Sequence, residues 1–341
     1  MDPRDFKAFR PLGFPQPPVH ILGAKHSNFT INLPGEPAVS GKPVRFPSDA
    51  TVTEIVSTES GEGTGHQLTF YPCREFESYF FHLGTIAAPL DSALKGQSTT
   101  CQDFDFGTQG GRIRKCTARV TVAVKAGDAV GGSDRFGGVD WGGVDHRVTL
   151  PFINPSRYDG DYPHYVSPVD YLAPSARALV EGKLGSIDGK VARTAEPRTG
   201  TLMHDVPGTA QGNWLTTGTN FTNTQDFSPW LALLHDYVDP SLPVFSMGSS
   251  VAGLRLGLYA FTPERSGTVN RDFAEVKPDG TTYCYERFHS GRTPSAPNLT
   301  TPAGAILLRM PSATTLAVEF QPGATCATAR PLGAGAKTFE R

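Results

Sequence analysis

The stretch Ala118-Arg119-Val120-Thr121-Val122-Ala123-Val124 decides the fold class, because apolar and polar side chains alternate along it almost without a break. A period of two is typical of a β-strand with one buried face. The first half of the chain contains further short runs of this kind, at residues 44–46, 51–56, 67–71, 78–83 and 147–153. Short strands separated by turns predict an antiparallel sandwich or barrel.

The second half of the chain and the composition favour the same fold class. Short apolar runs recur at residues 212–215, 244–247, 254–261, 281–286, 305–310 and 315–320. The 341 residues include 37 Gly and 29 Pro, and both residue types break helices. One short helix is predicted at 174–182, and 228–235 is predicted as a strand although its Ser-Pro start also suits a helix. The sequence predicts an all-β, mainly antiparallel protein with little helix.

The distribution of proline and of strand-like runs predicts four segments. Residues 1–19 are rich in proline and are predicted as an extended lead-in. Residues 20–175 form a first β domain, and residues 176–194 form a linker. Residues 195–341 form a second β domain, either a barrel or a sandwich.

The charge balance and the hydropathy pattern exclude several classes of function. The formal net charge is −2, which argues against a nucleic-acid binder. No apolar run approaches the roughly 18–20 residues that a transmembrane helix needs. Residues 1–5 show no signal-peptide pattern in the given chain.

The five cysteines suggest an oxidising compartment. Cys101 and Cys116 flank a glycine-rich stretch, and Cys284 and Cys326 lie in or beside strand-like runs, so we predict these two disulfides. Cys73 would then remain a free thiol. No Cys-x-x-Cys pair is present that would indicate a zinc knuckle or a redox motif. We therefore expect a secreted, periplasmic or envelope protein, the alternative being a cytoplasmic protein with five thiols.

Four sequence pieces follow one another in an order that is typical of one enzyme family. They are GKPVRFPSDATV at 41–52, YFFHLGTI at 79–86, VKAGDAVGG at 124–132 and GGVDHRVTL at 142–150. In this order they resemble the lysostaphin-type zinc endopeptidases, which cleave peptidoglycan cross-bridges. The resemblance covers roughly residues 40–153, and the C-terminal half resembles no family that we recognise.

The resemblance also implies that the metal site is incomplete. In this family a His and an Asp ahead of the first piece, together with the last His of a final His-x-His, hold the zinc. The final pair corresponds here to Asp145 and Arg147, and an arginine cannot ligate a cation. His82 stands at the position of the family's catalytic histidine that does not bind metal. The resemblance therefore implies a degenerate, zinc-free domain that acts as a binding or regulatory module.

Two groups of residues are candidates for chemistry. In the first half, His82 and His146 could share a site with Asp145 or Asp140, and a rebuilt zinc site could also use His26. In the second half, the candidates are the adjacent pairs His204-Asp205 and His235-Asp236. Neighbouring residues on a strand face opposite sides, so neither pair would present both members to one pocket if it were extended. Ion pairs, caps and turns are the ordinary roles for all these residues.

Three functional hypotheses follow from the sequence. The first is an exported, non-catalytic binding or envelope-associated protein without a cofactor, whose partner is a cell-wall glycan or peptide or another protein. The second is a hydrolase, with either a rebuilt zinc site or a His/Asp site in the second domain. The third is a structural subunit of an exported assembly.

Overall fold

The computed structural model describes residues 1–33, 35–61, 63–105, 111–221, 229–290, 299 and 301–341. The chain forms two compact units, each built from three stretches. The first unit comprises Met1–Pro11, His26–Val148 and His164–Gly189, and the second comprises Leu12–Lys25, Thr149–Pro163 and Lys190–Arg341. The segments predicted from the sequence are contiguous, whereas each unit is discontinuous.

The first unit contains eleven of the described strands and both of the described α-helices. They are β1 (Ala8–Arg10), β2 (Ser27–Thr30), β3 (Pro43–Arg45), β4 (Ala50–Ser60), β5 (Gly63–Cys73), β6 (Phe76–Ile86), α1 (Ala88–Lys95), β7 (Thr100–Asp105), β8 (Arg112–Val124), β9 (Ala129–Ser133), β10 (Gly138–Asp145), β11 (Tyr165–Val166) and α2 (Pro174–Glu181). The sheet order is β1-β2-β10-β6-β5-β4-β8-β7, β11 pairs with β10, and β9 pairs with β3 and β6.

One face of this sheet buries the apolar positions of the alternating strands. Ile55, Leu68, Phe70 and Ala118 are fully buried, and Phe80 packs against Phe70. Burying each large side chain stabilises the fold by roughly 1.5–3 kcal/mol, so the period-two pattern fixes which face of each strand points inward.

The second unit contains the remaining described strands. They are β12 (Gly212–Thr216), β13 (Trp230–His235), β14 (Pro243–Met247), β15 (Gly257–Ala260), β16 (Thr282–Tyr285), β17 (Gly304–Ser312), β18 (Thr315–Pro322) and β19 (Lys337–Glu340). Their order is β15-β14-β13-β12-β19-β18-β17-β16, and all neighbours are antiparallel. Its core includes the buried rings of Trp214, Phe245, Tyr285 and Phe339.

The structure confirms the all-β, antiparallel fold class with two sheets and little helix. The predicted helix is α2, and the ambiguous run at 228–235 contains strand β13. The predicted strand at 147–153 was wrong, because β10 ends at Asp145 and the chain then turns. The Val148 N–H donates to the Asp145 carbonyl in that turn, and Pro151 has no N–H to give to a ladder. Neither described helix is long and apolar enough to cross a membrane.

Both predicted disulfides are present, and each supports one unit. Cys101 and Cys116 are directly opposite on β7 and β8, so the bond ties the edge strand of the first sheet to its neighbour. Cys284 on β16 is joined to Cys326, which follows β18. Cys73 is an exposed free thiol, as predicted.

Candidate functional site

The polar cluster of the first unit forms where β2, β10 and β6 lie side by side. Asp140 on β10 stands opposite Asn28 on β2 and opposite Phe81 on β6. His82 follows Phe81 at a register shift between β5 and β6, and it has a φ of +64°. A β-bulge re-aims a side chain, and a non-glycine residue with this φ is held by its surroundings. The backbone therefore directs the His82 ring toward Asp140.

Asp140 is the centre of this cluster, and both of its carboxylate oxygens are occupied. Oδ1 accepts a hydrogen bond from Asn28 Nδ2 at 2.7 Å and lies 3.3 Å from Nδ1 of His26. Oδ2 lies 3.3 Å from Nε2 of His82. Thr30 Oγ1 donates to Asn28 Oδ1 at 2.9 Å, which fixes the orientation of the Asn28 amide. A buried carboxylate is thus satisfied by side chains from β2, from β6 and from His26 just before β2, as burial of a charge requires.

A second carboxylate holds the other side of the His82 ring. Asp134 Oδ2 lies 3.1 Å from Nδ1 of His82, and the Asp134 N–H donates to the His82 carbonyl at 2.9 Å. Asp134 Oδ1 accepts the N–H of Phe136 at 2.8 Å. Both imidazole nitrogens of His82 therefore face carboxylate oxygens, an arrangement that suits an imidazolium with two N–H donors.

The charges set the protonation states of the two histidines in opposite directions. Burial lowers the pKa of His82, but the charge of Asp140 and the hydrogen bonds to Asp134 and Asp140 outweigh it and raise that pKa to about 10. Burial lowers the pKa of His26 below its usual range. Burial raises the pKa of Asp140, but the two imidazoles and Asn28 hold it well below its usual range. The cluster is therefore an ion pair of protonated His82 with two carboxylates, beside a buried His26 whose pKa is lowered.

This arrangement restricts the chemistry that His82 can perform. A general base needs a free nitrogen and a pKa near the working pH, and His82 has neither. A zinc ion at this place would require His26, His82 and Asp140 to release one another. No group of three or more His, Cys, Asp or Glu side chains in the described part of the chain is arranged to hold a metal ion. The geometry supports a fixed positive charge at His82.

The cluster reaches the surface at His82. The His82 side chain is 44% exposed, whereas those of Asp140 and Asp134 are about 10% exposed. The ring of Phe136, which is 59% exposed, lies 5.8 Å from the His82 ring between centroids. The Arg135 guanidinium lies 6.0 Å from the Phe136 ring. We call His82, Arg135 and Phe136 the His82 surface, in which an exposed aromatic ring lies beside charged side chains.

Asp145 and His146 lie away from His82. Asp145 is five positions after Asp140 on β10, about 17 Å at the rise of an antiparallel strand. It forms an ion pair with Arg147 at 2.8 Å and accepts a hydrogen bond from Tyr171, and these bonds hold its pKa below the usual range. The ring of His146 packs beside that of His164, with centroids 5.4 Å apart. These residues do not join His82 in one site.

The two adjacent pairs of the second unit separate in the structure. Asp205 accepts the N–H groups of Ile153 and Asn213, and Asp236 accepts those of Val238 and Asp239. Asp236 therefore holds a local turn, whereas Asp205 joins two backbone segments that are distant in sequence. His235 instead pairs with Asp272, with Nε2 and Oδ2 2.9 Å apart.

His204 is the other histidine of these pairs. Burial lowers the pKa of His204 to about 4. Its Nε2 is buried and has no hydrogen-bond partner among the described residues. It is therefore neutral near pH 7, and the structure does not assemble the four residues of the two pairs into one acid–base site.

Sequence reasoning named His82, Asp140 and His26 but missed Asp134 and Asn28. Asn28 is two residues after His26, and a strand period of two was the available signal for placing both on one face. Asp134 lies in the connection between β9 and β10, and nothing in its local sequence points to His82. Comparisons of the chain with protein-family models, curated proteins and solved structures found no match.

Proposed function

We propose that this chain is an exported, non-catalytic binding protein of the cell envelope, with a peptidase-like first unit that has lost its zinc site. The observation that carries the proposal is the engagement of both His82 nitrogens by Asp134 and Asp140. A histidine fixed in this way supplies charge and position but cannot accept a proton from water. The two disulfides support an oxidising compartment.

The ligand of this proposal is cell-wall material, either glycan or peptide, that contacts the His82 surface. Phe136 offers an exposed apolar ring to a sugar or side chain, and the Arg135 guanidinium places a positive charge beside that ring. Asp134 accepts the Phe136 N–H, and this bond fixes the backbone at the position that carries the ring. A backbone that is ordered before binding costs less entropy on binding than a mobile one.

Retention of the full chain on purified peptidoglycan tests this proposal. We expect Phe136→Ala to weaken retention about tenfold, the loss typical of a binding hot spot. Val39→Ala is the matched control, because Val39 is also an exposed apolar residue of the first unit. Absence of retention, or equal retention of Phe136→Ala and the unchanged chain, would contradict the proposal.

The alternative function, a hydrolase with a rebuilt zinc site, is favoured by one observation: His26, His82 and Asp140 lie close together. It requires that zinc displace the contacts between Asp140 and the two histidines. Metal analysis of the purified chain decides between the two functions. Stoichiometric zinc that is lost in both His26→Ala and His82→Ala would overturn the non-catalytic proposal, and a metal-free chain that still binds peptidoglycan would support it.

A further inference from the structure

A second surface of the first unit, which shares no residue with the His82 surface, forms a polar groove. The groove has a volume of about 530 Å³ and lies across β5, β4, β8 and β7. The register places Gln67, Val56, Thr117 and Thr100 in one row across these four strands. Residues two positions along β8 and β7 lie on the same face, so Lys115, Gln102 and Phe104 extend it. We call this surface the β7 groove.

The lining of the β7 groove is rich in groups that recognise hydroxyls. It contains three glutamine amides, from Gln67, Gln97 and Gln102, together with the hydroxyls of a serine and two threonines. Each amide can both donate and accept hydrogen bonds, and so can each hydroxyl. Such a lining matches a ligand with many hydroxyl groups rather than an apolar one.

The groove also carries an excess of positive charge. Glu54 is its one carboxylate, and it pairs with Arg119 at 3.1 Å. Lys115 has no carboxylate partner among the groove residues, and its ammonium lies 5.5 Å from the Phe104 ring. Burial lowers the pKa of Lys115, which shows that part of its hydration is lost without a compensating anion. An anionic ligand group would restore that compensation.

The outer wall of the groove is an edge strand that is fixed covalently. β7 is at the end of the sheet and pairs only with β8 in the described structure. The Cys101–Cys116 disulfide joins the two strands beside Thr100 and Gln102, both of which line the groove. Edge strands are the least supported strands of a sheet, so the bond keeps the wall in position.

We propose that the β7 groove binds an extended anionic polysaccharide whose sugar units carry carboxylates, as in polyuronates. A ligand carboxylate pairs with Lys115, the adjacent sugar ring lies on Phe104, and its hydroxyls bond to the glutamines and threonines. This site shares no residue with the His82 surface.

Binding of the full chain to oligogalacturonate, measured by calorimetry, tests the proposal. Neutral dextran and poly-glutamate serve as comparison ligands. We expect oligogalacturonate to bind at least tenfold more tightly than either one, and its affinity to fall with added salt. Preference for poly-glutamate would indicate a peptide site and overturn the proposal, as would equal affinity for dextran or no binding.

Variants locate the site. Lys115→Gln should weaken oligogalacturonate binding about tenfold, whereas Arg114→Gln, one position away on the other face of β8, should change it less than twofold. The Cys101→Ser/Cys116→Ser variant should also bind more weakly while hydrogen exchange outside β7 and β8 stays unchanged. Equal losses in the two β8 variants would overturn the proposal. Phe136→Ala should leave this binding unchanged, so failure here is distinguishable from failure at the His82 surface.

Discussion

His82 in the first unit and His204 in the second show how differently two units of one chain treat the same side chain. Two carboxylates face the His82 ring and raise its pKa to about 10. Nε2 of His204 is buried without such partners among the described residues, and the pKa of His204 falls to about 4. Near pH 7 the first ring is charged and the second is neutral.

The difference comes from where the acidic residues lie in the fold. Asp140 reaches His82 from β10 and Asp134 from the connection between β9 and β10, both more than 50 residues away in sequence, so the pairing of β6 with β9 and β10 brings the three residues together. Asp205 is adjacent to His204 in sequence but turns to backbone N–H groups. A His-Asp dipeptide is therefore poor evidence for an acid–base pair, whereas register between strands is good evidence.

The first expected effect breaks the comparison at Asp140. Asp140→Asn removes the negative charge beside His82, and we expect it to lower the stability of the first unit by about 1–3 kcal/mol, because Asp140 is buried and its hydrogen-bond partners lose an ionised acceptor. We also expect the pKa of His82 to fall. Denaturant-dependent hydrogen exchange reports the first unit separately from the second, and NMR titration reports the His82 ring.

Asp272→Asn is the matched variant in the second unit. Asp272 pairs with His235, but both side chains are about a quarter exposed, so this loss should stay below about 1 kcal/mol. Equal effects of the two variants would show that Asp140 is not the buried centre of a charged cluster.

The disulfides give the second contrast between the units. In the chain-entropy account, the bond spanning 15 residues contributes about 3 kcal/mol and the bond spanning 42 residues about 4 kcal/mol. We expect Cys284→Ser/Cys326→Ser to destabilise the second unit more than Cys101→Ser/Cys116→Ser destabilises the first. Unit-resolved hydrogen exchange under denaturant measures both. Cys73→Ser should change neither unit, and the reverse ranking would refute the loop-length argument.

The sequence was sufficient for the fold class because a period of two is clear along residues 118–124 of β8 and short strand-like runs recur along the chain. It also paired Cys101 with Cys116 from local context. It misplaced the last strand of the first unit, since 147–153 alternates but follows a turn that ends pairing at Asp145. It could not pair Asp134 with His82, because that contact depends on a bulge and on a connection between strands.

Acidification sharpens the comparison through His204. A histidine whose pKa is lowered by folding binds fewer protons in the folded state than in the unfolded state. Its contribution to the free energy of unfolding therefore falls as the pH drops from 6.5 toward about 4. At pH 5 the loss is about 2 kcal/mol in the second unit. His204→Gln should remove this part of the pH dependence, as measured by hydrogen exchange at pH 7 and pH 5. An unchanged slope would mean that His204 is not the group responsible.

The stability that His82 contributes depends on pH in the opposite direction. Because folding raises the pKa of His82, this stabilisation of the folded state is complete below pH 6.5 and is lost as the pH rises through about 10. The contribution of Asp140, whose pKa is lowered, is present above about pH 3.8 and is lost as pH falls. NMR titration should therefore find His82 charged and His204 neutral at pH 7, and finding both neutral would remove the contrast.

The smallest expected effect comes from glycine substitutions at two residues with positive φ, which separate the cost of backbone strain from the stabilisation given by an ion pair. His82 has a φ of +64°, and Arg287 in the second unit has a φ of +54°. Only glycine adopts such positive φ angles without an energetic cost. The Arg287 side chain is 66% exposed and its nearest carboxylate contacts are at 3.5 Å, so Arg287→Gly should raise stability by up to about 1 kcal/mol. His82→Gly relieves the same strain but leaves Asp140 and Asp134 without their cation, so it should lower stability despite the relief. Denaturant unfolding of the two variants compares the signs directly: if both stabilise the chain, the His82 ion pair contributes nothing that outweighs the strain of its backbone.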